Sequence, residues 1–387
     1  MSEWTSTPFG DLTDNLDSRR IPVKEWERQP GPYPYYGASG VVDYVKDYIF
    51  EGDYLLIAED GENLRTRATP IAFMARGRFW VNNHAHIVKG NQRADTRFLM
   101  YALQYTDVSG FLTGSTMPKL TQQNLNRIPI LAPLPQEQRA ISRVLGLLDD
   151  KISLNHQTND TVESLVRAIF LHFFPYGPDD ELPSGWHLGN IESVAHLSRG
   201  VVNPSETPEE IFDHYSIPAF DQKRMPVTEP GSGIHSNKWI VPRGVVLLSK
   251  LNPRLPRVWF PRLNPVRRSI CSTEFFPLLP RIGFSPEFIY CLCTSHAFTE
   301  EFAIMTTGTS GSHQRVRPDF ATAIDVAIPP PDIITRFSNT VRPLLDRIKS
   351  NREEALVLAA LRDTLSPKLL SGEIRVPQAQ QALNEAV

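Results

Sequence analysis

Two stretches of the chain place apolar residues at alternating intervals of four and three. In residues 136–174 these are Ile141, Leu145, Leu148, Ile152, Val162, Val166, Ile169 and Phe173, with Asn155 and Asn159 filling the two seam positions between, the pattern of a helix that packs along another helix. Pro133 and Pro135 precede the stretch and Pro175 follows it, so the pattern has a defined start and stop. At a rise of about 1.5 Å per residue such a helix spans on the order of 60 Å, too long for an ordinary domain helix. The second stretch runs through Phe337, Val341, Leu344, Ile348, Asn351, Ala355, Leu358, Leu365 and Leu369, with Arg362 replacing an apolar residue and Pro367 expected to kink or end the helix. Asn155 and Asn351 fall at equivalent seam positions, where a polar residue costs stability but excludes wrong registers. The pattern predicts two long helices paired antiparallel, with Asn155 and Asn351 setting the register; packing of each helix on its own preceding module is the alternative.

The two stretches belong to one internal repeat. At an offset of 196, Ile128, Ile130, Pro133 and Pro135 fall on Ile324, Val326, Pro329 and Pro331, and Leu148, Asp150, Ile152 and Asn155 fall on Leu344, Asp346, Ile348 and Asn351. Upstream the match is looser, which suits two modules that differ in what they bind on a shared helical scaffold. Short apolar runs predict strands at 54–58, 71–75, 78–81 and 86–88, with Arg76 and Gly77 as a tight hairpin, and a helix at 96–104. The second module follows suit, with strands at 245–249, 258–260 and 275–279 and a helix at 286–294. The fold class is α+β, divided as a module at 1–135, a helix at 136–175, a module at 176–331, a helix at 332–375 and a flexible tail at 376–387.

Composition sharpens this picture in two places. The 387 residues are 41 % apolar, ample for ordinary cores. With no apolar run long enough to span a membrane and no signal-peptide pattern at the start, the expectation is a cytoplasmic protein. Cys271, Cys291 and Cys293 match no metal-type spacing and suit small buried side chains, so neither zinc nor disulfides are expected. The net charge of −3 argues mildly against nucleic acid, yet the charges are segregated. Between Pro230 and Thr273 stand Lys238, Arg243, Lys250, Arg254, Arg257, Arg262, Arg267 and Arg268 and no acidic residue, and between Asn63 and Ala94 stand Arg65, Arg67, Arg76, Arg78, Lys89 and Arg93, again with none.

Candidate contacts cluster in these modules. Tyr33, Tyr35 and Tyr36 beside Gly37, Ser39 and Gly40 suit a loop that meets bases or sugars with rings and backbone, or a packed strand end. Near the end of each module lies a Gly, Ser and Thr-rich segment, 113–120 and 307–317. Lys119 in the first and His313, Gln314, Arg315 and Arg317 in the second can donate to phosphates or base edges. Arg19, Arg20, Arg65, Arg67, Arg199, Lys250, Asn252 and Arg254 complete the set of candidate contacts. Glu59, Asp60 and Glu62 suit hydrogen-bond acceptance in a turn, including from cytosine amino groups, better than acid/base chemistry. His84 and His86, two apart on one strand, suit solvated or phosphate-facing rings better than a metal pair. No phosphate-binding loop, dinucleotide fingerprint, nucleophile elbow or zinc-protease motif occurs, so no catalytic residue is assigned and a binding role is expected.

The order of these segments resembles the specificity subunit of type I restriction-modification systems over nearly the whole chain. The likeness rests on residues 35–40 and 49–57, on Gly114 to Leu120, on the Pro-rich segment 128–138, on 148–152 and on 365–374. It implies two target-recognition domains, each followed by a long helix, with the helices paired as an antiparallel coiled coil of pseudo-twofold symmetry. It further implies that the partners are double-stranded DNA, two modification subunits that bind S-adenosylmethionine and methylate adenine, and restriction and motor subunits, with no cofactor on this chain. A coiled-coil scaffold that touches no DNA is the alternative. Antiparallel pairing predicts that cysteines placed at Ile141 and Phe173 each crosslink to the far end of the other helix; crosslinks to the near end alone would count against it.

Overall fold

The computed structural model describes residues 4–307 and 314–386. His313, among the candidate contacts, lies outside them. The chain divides into two compact units, the first built from Met1–Ser153 with Ala355–Val387 and the second from Leu154–Glu354.

The first unit holds the strands β1 (Thr5–Pro8), β2 (Thr13–Asn15), β3 (Pro30–Gly37), β4 (Gly40–Val45), β5 (Phe50–Glu51), β6 (Tyr54–Ala58), β7 (Ala72–Ala75), β8 (Arg78–Val81), β9 (Ala85–Gly90) and β10 (Pro129–Ala132). Its helices are α1 (Asn63–Thr66), α2 (Thr96–Tyr105), α3 (Gln122–Arg127) and the start of α4 (Pro135–Phe173). Strand β6 is central in the sheet β2-β9-β6-β7, and Leu55, Leu56 and Ile57 are fully buried. An unbroken apolar run is what burial on both faces requires. Leu55 and Ile57 join the cluster of α2 and α4, while Leu56 meets Phe50, Phe79 and Val81 of a second sheet ordered β4-β3-β8-β5.

The second unit repeats this plan. Its strands are β11 (His187–Asn190), β12 (Ala195–Leu197), β13 (Val201–Val202), β14 (Ile211–Tyr215), β15 (Val227–Pro230), β16 (Lys238–Ile240), β17 (Val246–Ser249), β18 (Val258–Trp259), β19 (Arg268–Cys271), β20 (Phe275–Pro280), β21 (Thr306–Thr307), β22 (Arg315–Val316) and β23 (Asp325–Ile328). Helices α5 (Ile191–Val194), α6 (Ile217–Lys223), α7 (Pro286–Thr294), α8 (His296–Ile304) and α9 (Pro318–Ala323) lead into α10 (Pro331–Ser371), and α11 (Val376–Ala386) follows it. The sheet β12-β20-β17-β18 matches β2-β9-β6-β7 strand for strand. The sheet β13-β16-β19-β14-β15 matches β5-β8-β3-β4 with β13 added, down to the parallel pairing of β14 with β19 and of β3 with β8. The modules share a topology that their sequences barely show.

The long helices pair antiparallel inside each unit. In the first, Asp149 accepts from Arg362 at 2.8 Å and Glu137 accepts from Arg375. In the second, Phe174 and Phe170 pack on Phe337 with ring centres 4.9 and 5.7 Å apart, and Asn155 donates to Glu354 at 2.9 Å. Each helix also buries a face on its own module, through Ile141, Leu145 and Leu148 in one case and Ile334, Phe337 and Val341 in the other. The register asparagines are buried, and their partners are now defined. Asn351 donates to Asn159 Oδ1 at 2.9 Å, and Asn159 donates to the Ile348 carbonyl at 3.2 Å.

Three expectations need correction. Arg76 and Gly77 form no hairpin, because β7 and β8 lie in different sheets; Gly77, at φ +74°, passes the chain from one sheet to the other. Pro367 does not end α10, since Leu365, Leu369 and Leu370 around it are buried in the first unit's core and hold the helix through it. The segment taken as a flexible tail contains α11, anchored by fully buried Ala379. Of the two readings of the tyrosine-rich segment, the strand holds: it is β3. The three cysteines are free and buried, and burial pushes their thiols up.

Asn351→Leu strands the Asn159 carbonyl oxygen in the seam, an expected cost of about 1–3 kcal/mol in urea denaturation. Asn159→Leu together with Asn351→Leu should recover most of that stability.

Candidate nucleic-acid interface

In both modules the chain leaving the central strand crosses the segment that precedes α3 or α9. In the first module Leu120 donates its amide to the Glu59 carbonyl at 2.8 Å and Gly61 donates to Pro118 at 3.1 Å. In the second, Val316 donates to Lys250 at 3.0 Å and Asn252 to Gln314 at 2.9 Å. Glu59 and Lys250 are therefore equivalent positions, as are Gly61 and Asn252, and Lys119 and Arg315. Gly61 and Asn252 both take positive φ, +112° and +47°, a conformation that glycine and asparagine tolerate best. The backbone crossing is the same; the side chains it presents differ.

The first crossing carries paired charges. Thr113 and Lys119 close the 113–119 loop through two backbone bonds of 2.8 and 2.7 Å. Gly114 is required there, because a Cβ would meet the Met117 carbonyl at 2.2 Å. Lys119 stays half exposed, 3.2 Å from Glu59. Arg65, also half exposed, reaches the carbonyls of Gly114 and Ser115 at 3.4 Å and pairs with Glu62. Asp60 accepts from exposed His84 at 2.8 Å.

Beneath this surface lies a buried network. His86 contacts Asp17 at 2.6 Å through Nδ1 and the Leu120 carbonyl at 2.7 Å through Nε2. A carbonyl can only accept and an ionised carboxylate can only accept, so the ring donates from both nitrogens. Arg20 bonds Glu59 and the Ala85 carbonyl, each at 2.8 Å. Burial alone would raise the Asp17 carboxyl, but the hydrogen bond and charge of His86, the Ile87 amide and Arg20 outweigh it and hold the group below its usual range. Glu59 is likewise raised by burial yet lowered overall, by Arg20, His86 and Lys119. Asp17, Glu59 and His86 bring ligand-type atoms within 4.8 Å of one another. With Arg20 and Lys119 on Glu59 and both His86 nitrogens directed at acceptors, they form an ion-pair network that ties the end of the 113–120 segment to the sheet.

The second crossing is richer in donors. Lys250 is half-buried, Arg254 is exposed, and Arg315 pairs with Glu274 at 3.0 Å. Arg317 starts α9, pairs with Asp319 at 2.9 Å and lies over the Phe320 ring. Arg199 is exposed just after β12, and Gln314 is half-buried with its carbonyl used by Asn252.

Several candidates have structural duties instead of surface ones. Tyr35 is 1 % exposed, its hydroxyl bonded to the backbone of Val23 and its ring covered by Arg28. Tyr36 packs on Phe73 and Phe79, and burial raises its phenol. Gly37 is buried at the end of β3, leaving Ser39 exposed in the turn. Arg20 is sequestered by Asp17 and Glu59. Arg67, in the left-handed conformation at φ +51°, caps α2 by donating to the carbonyls of Leu103, Gln104 and Thr106. Arg19 remains exposed over the Phe50 ring. His86 is buried within β9, whereas His84 precedes that strand and is exposed. The network of Asp17, His86 and Leu120 had no signal in the sequence, because its members lie 34 and 69 residues apart.

Comparison with known proteins agrees with this geometry. Residues 1–164 match the family described as type I restriction modification DNA specificity domain. Over 97 % of its length the chain is 22 % identical to the specificity subunit of the type I restriction enzyme MjaIX of Methanocaldococcus jannaschii, covering 94 % of that protein. A 150-residue stretch, 38 % of this chain, is 38 % identical to a type I restriction enzyme specificity subunit of Haemophilus influenzae and spans 37 % of that relative's length. The crystal structure of a type I restriction-modification S subunit from M. genitalium shares the fold, with a TM-score of 0.68 over 95 % of this chain and 96 % of that one at 16 % identity. The chain has the two-module fold of that S subunit. The family match covers the first module and most of the first long helix. No helix among the described residues is long and apolar enough to cross a membrane.

His86→Leu leaves Asp17 buried without its main partner, an expected loss of about 3 kcal/mol in chemical denaturation. Because the Asp17 carboxyl is depressed in the folded state, its contribution is complete above about pH 4, the unfolded value, and is lost as pH falls through the folded value. Melting profiles from pH 2 to 7 should show that acid-side loss shrinking in the variant.

Proposed function

We propose that this chain is a non-catalytic adaptor that reads an asymmetric DNA site in two parts, one per module, on behalf of partner enzymes. One observation carries the reading: the same backbone crossing recurs in both modules with different side chains on it. A duplicated scaffold with non-identical contacts suits two different half-sites.

In the first module Lys119 and Arg65 meet phosphates, while Glu59 and Asp60 lie where a carboxylate can accept from a cytosine or adenine amino group. In the second, Lys250, Asn252 and Arg254 offer donors suited to guanine edges and phosphate, with Arg199, Arg315 and Arg317 alongside. Two modification subunits bring S-adenosylmethionine and methylate adenine, restriction and motor subunits act on unmodified DNA, and this chain holds no cofactor. The helix pair serves as a ruler between half-sites separated by about one turn of DNA, roughly 34 Å. The near-neutral net charge fits a protein whose surface is partly covered by partners.

Mapping methylated adenines in cells that carry the full chain and its modification subunits tests this. The expected motif has two fixed halves and a constant spacer. Lys250→Ala with Arg254→Ala should relax one half only and lower the salt dependence of binding by about two units of slope. Inserting seven residues at matched points of both long helices should lengthen the spacer; an unchanged spacer overturns the ruler, and a motif without two halves overturns the adaptor.

A further inference from the structure

Each module is fastened to the first part of its own long helix, and the two fastenings use equivalent residues. Asp95 caps α2 by accepting from the Phe98 amide at 2.9 Å, and Ser285 caps α7 by accepting from Phe288 at 3.1 Å. Each cap also bonds a serine of the long helix at 2.6 Å, Ser142 in the first unit and Ser338 in the second. Aligned on the caps, Arg97 and Glu287 occupy one position; aligned on the serines, Gly146 coincides with Arg342 and Asp150 with Asp346.

The arginine comes from opposite sides in the two units. In the first it belongs to the module. The Arg97 guanidinium lies on the helix backbone, donating to the Gly146 carbonyl at 3.1 Å and to the two oxygens of Asp150 at 2.8 and 3.1 Å. A Cβ at Gly146 would stand 2.5 Å from Nη1 and 2.6 Å from Cζ of Arg97, so the helix needs glycine there while Arg97 is in place. In the second unit the arginine belongs to the helix. Arg342, at the glycine's position, donates to Glu287 at 2.7 Å, and the Glu287 side chain is only 4 % exposed.

We propose that these two latches key each module to its own helix segment, so that a recognition module can be exchanged only as a block with the start of its following helix, through Asp150 or Asp346. The first module seated on the second helix would drive Arg97 into Arg342. The second module seated on the first helix would bury Glu287 with no arginine and with Asp150 beside it, and an unpaired buried carboxylate is strongly destabilising. The inference holds whichever bases the modules read.

Three full-length variants test it: Gly146→Arg, Arg97→Glu, and both changes together, which installs the second unit's latch in the first with its aspartate already present. Each single change should lower the melting midpoint by roughly 5 °C or more, and the double change should recover most of the loss. Glu287→Arg, Arg342→Gly and their combination should behave the same way in the second unit. Where a single variant does not accumulate in soluble form, return of soluble protein in the corresponding double variant is the expected readout. Single variants that melt with the parent, or doubles no more stable or soluble than the worse single, overturn the proposal.

Discussion

The structure depends on the double burial of the two long helices. Each must present one face to the module it follows and another to its partner helix, and both demands fall on the same few turns. Ile141, Val144, Leu145 and Leu148 of α4 share one apolar cluster with Phe98 and Leu99 of the first module and with Leu358, Leu365 and Leu369 of α10. The first unit therefore joins the chain's beginning to its last 33 residues. Contacts so distant in sequence are slow to form, because a long loop must close before the apolar gain is realised. The buried asparagines fit this arrangement. Where a helix has two apolar faces to satisfy, a polar position that bonds in only one register excludes the slipped alternatives that apolar contacts would tolerate.

On this frame each module works as a rigid mount. The central strand is buried on both faces, so the residue that follows it is held by a sheet and not by a mobile loop. The chain then crosses the return segment with two backbone bonds, which set the position of the crossing independently of its side chains. That separation lets one topology carry Glu59 and Lys119 in one copy and Lys250 and Arg315 in the other. In the first copy His86 extends the mount downward, linking Leu120 to Asp17 through a ring that donates from both nitrogens. The module-to-helix latches show the same economy, since an arginine meets a carboxylate at equivalent places with the donor on opposite sides.

Residues whose partners are periodic or near in sequence were legible. The seam of α4, its proline boundary, the apolar strand at Tyr54–Ala58 and the helix at Pro286–Thr294 follow from 3.5-residue and unbroken apolar patterns that admit few alternatives. Arg65, Lys119 and Arg254 stay about half exposed or more, as long charged side chains do unless the fold brings them a buried partner. The tyrosines of β3 admit two readings, a contact loop and a packed strand end. Their composition suits either, and the fold decides: β3 pairs with the neighbouring β4 on one side and with the parallel β8, some 45 residues on, on the other, and Tyr35 is buried between them. Arg20 and Arg67 look like phosphate ligands in a one-dimensional chain, but each finds acceptors in segments brought to it by the fold.

The sequence by itself determined the duplication, the two long helices and the kind of residue available to each module. Tertiary structure decided which charges remain free, because a basic residue in a sequence is only a potential contact until the fold shows whether a carboxylate or a helix end has already taken it. It also revealed that the loosely matching modules share one topology and one crossing. Hydrogen bonds between backbones keep that geometry whatever side chains are attached, so it can persist where the sequence similarity has faded.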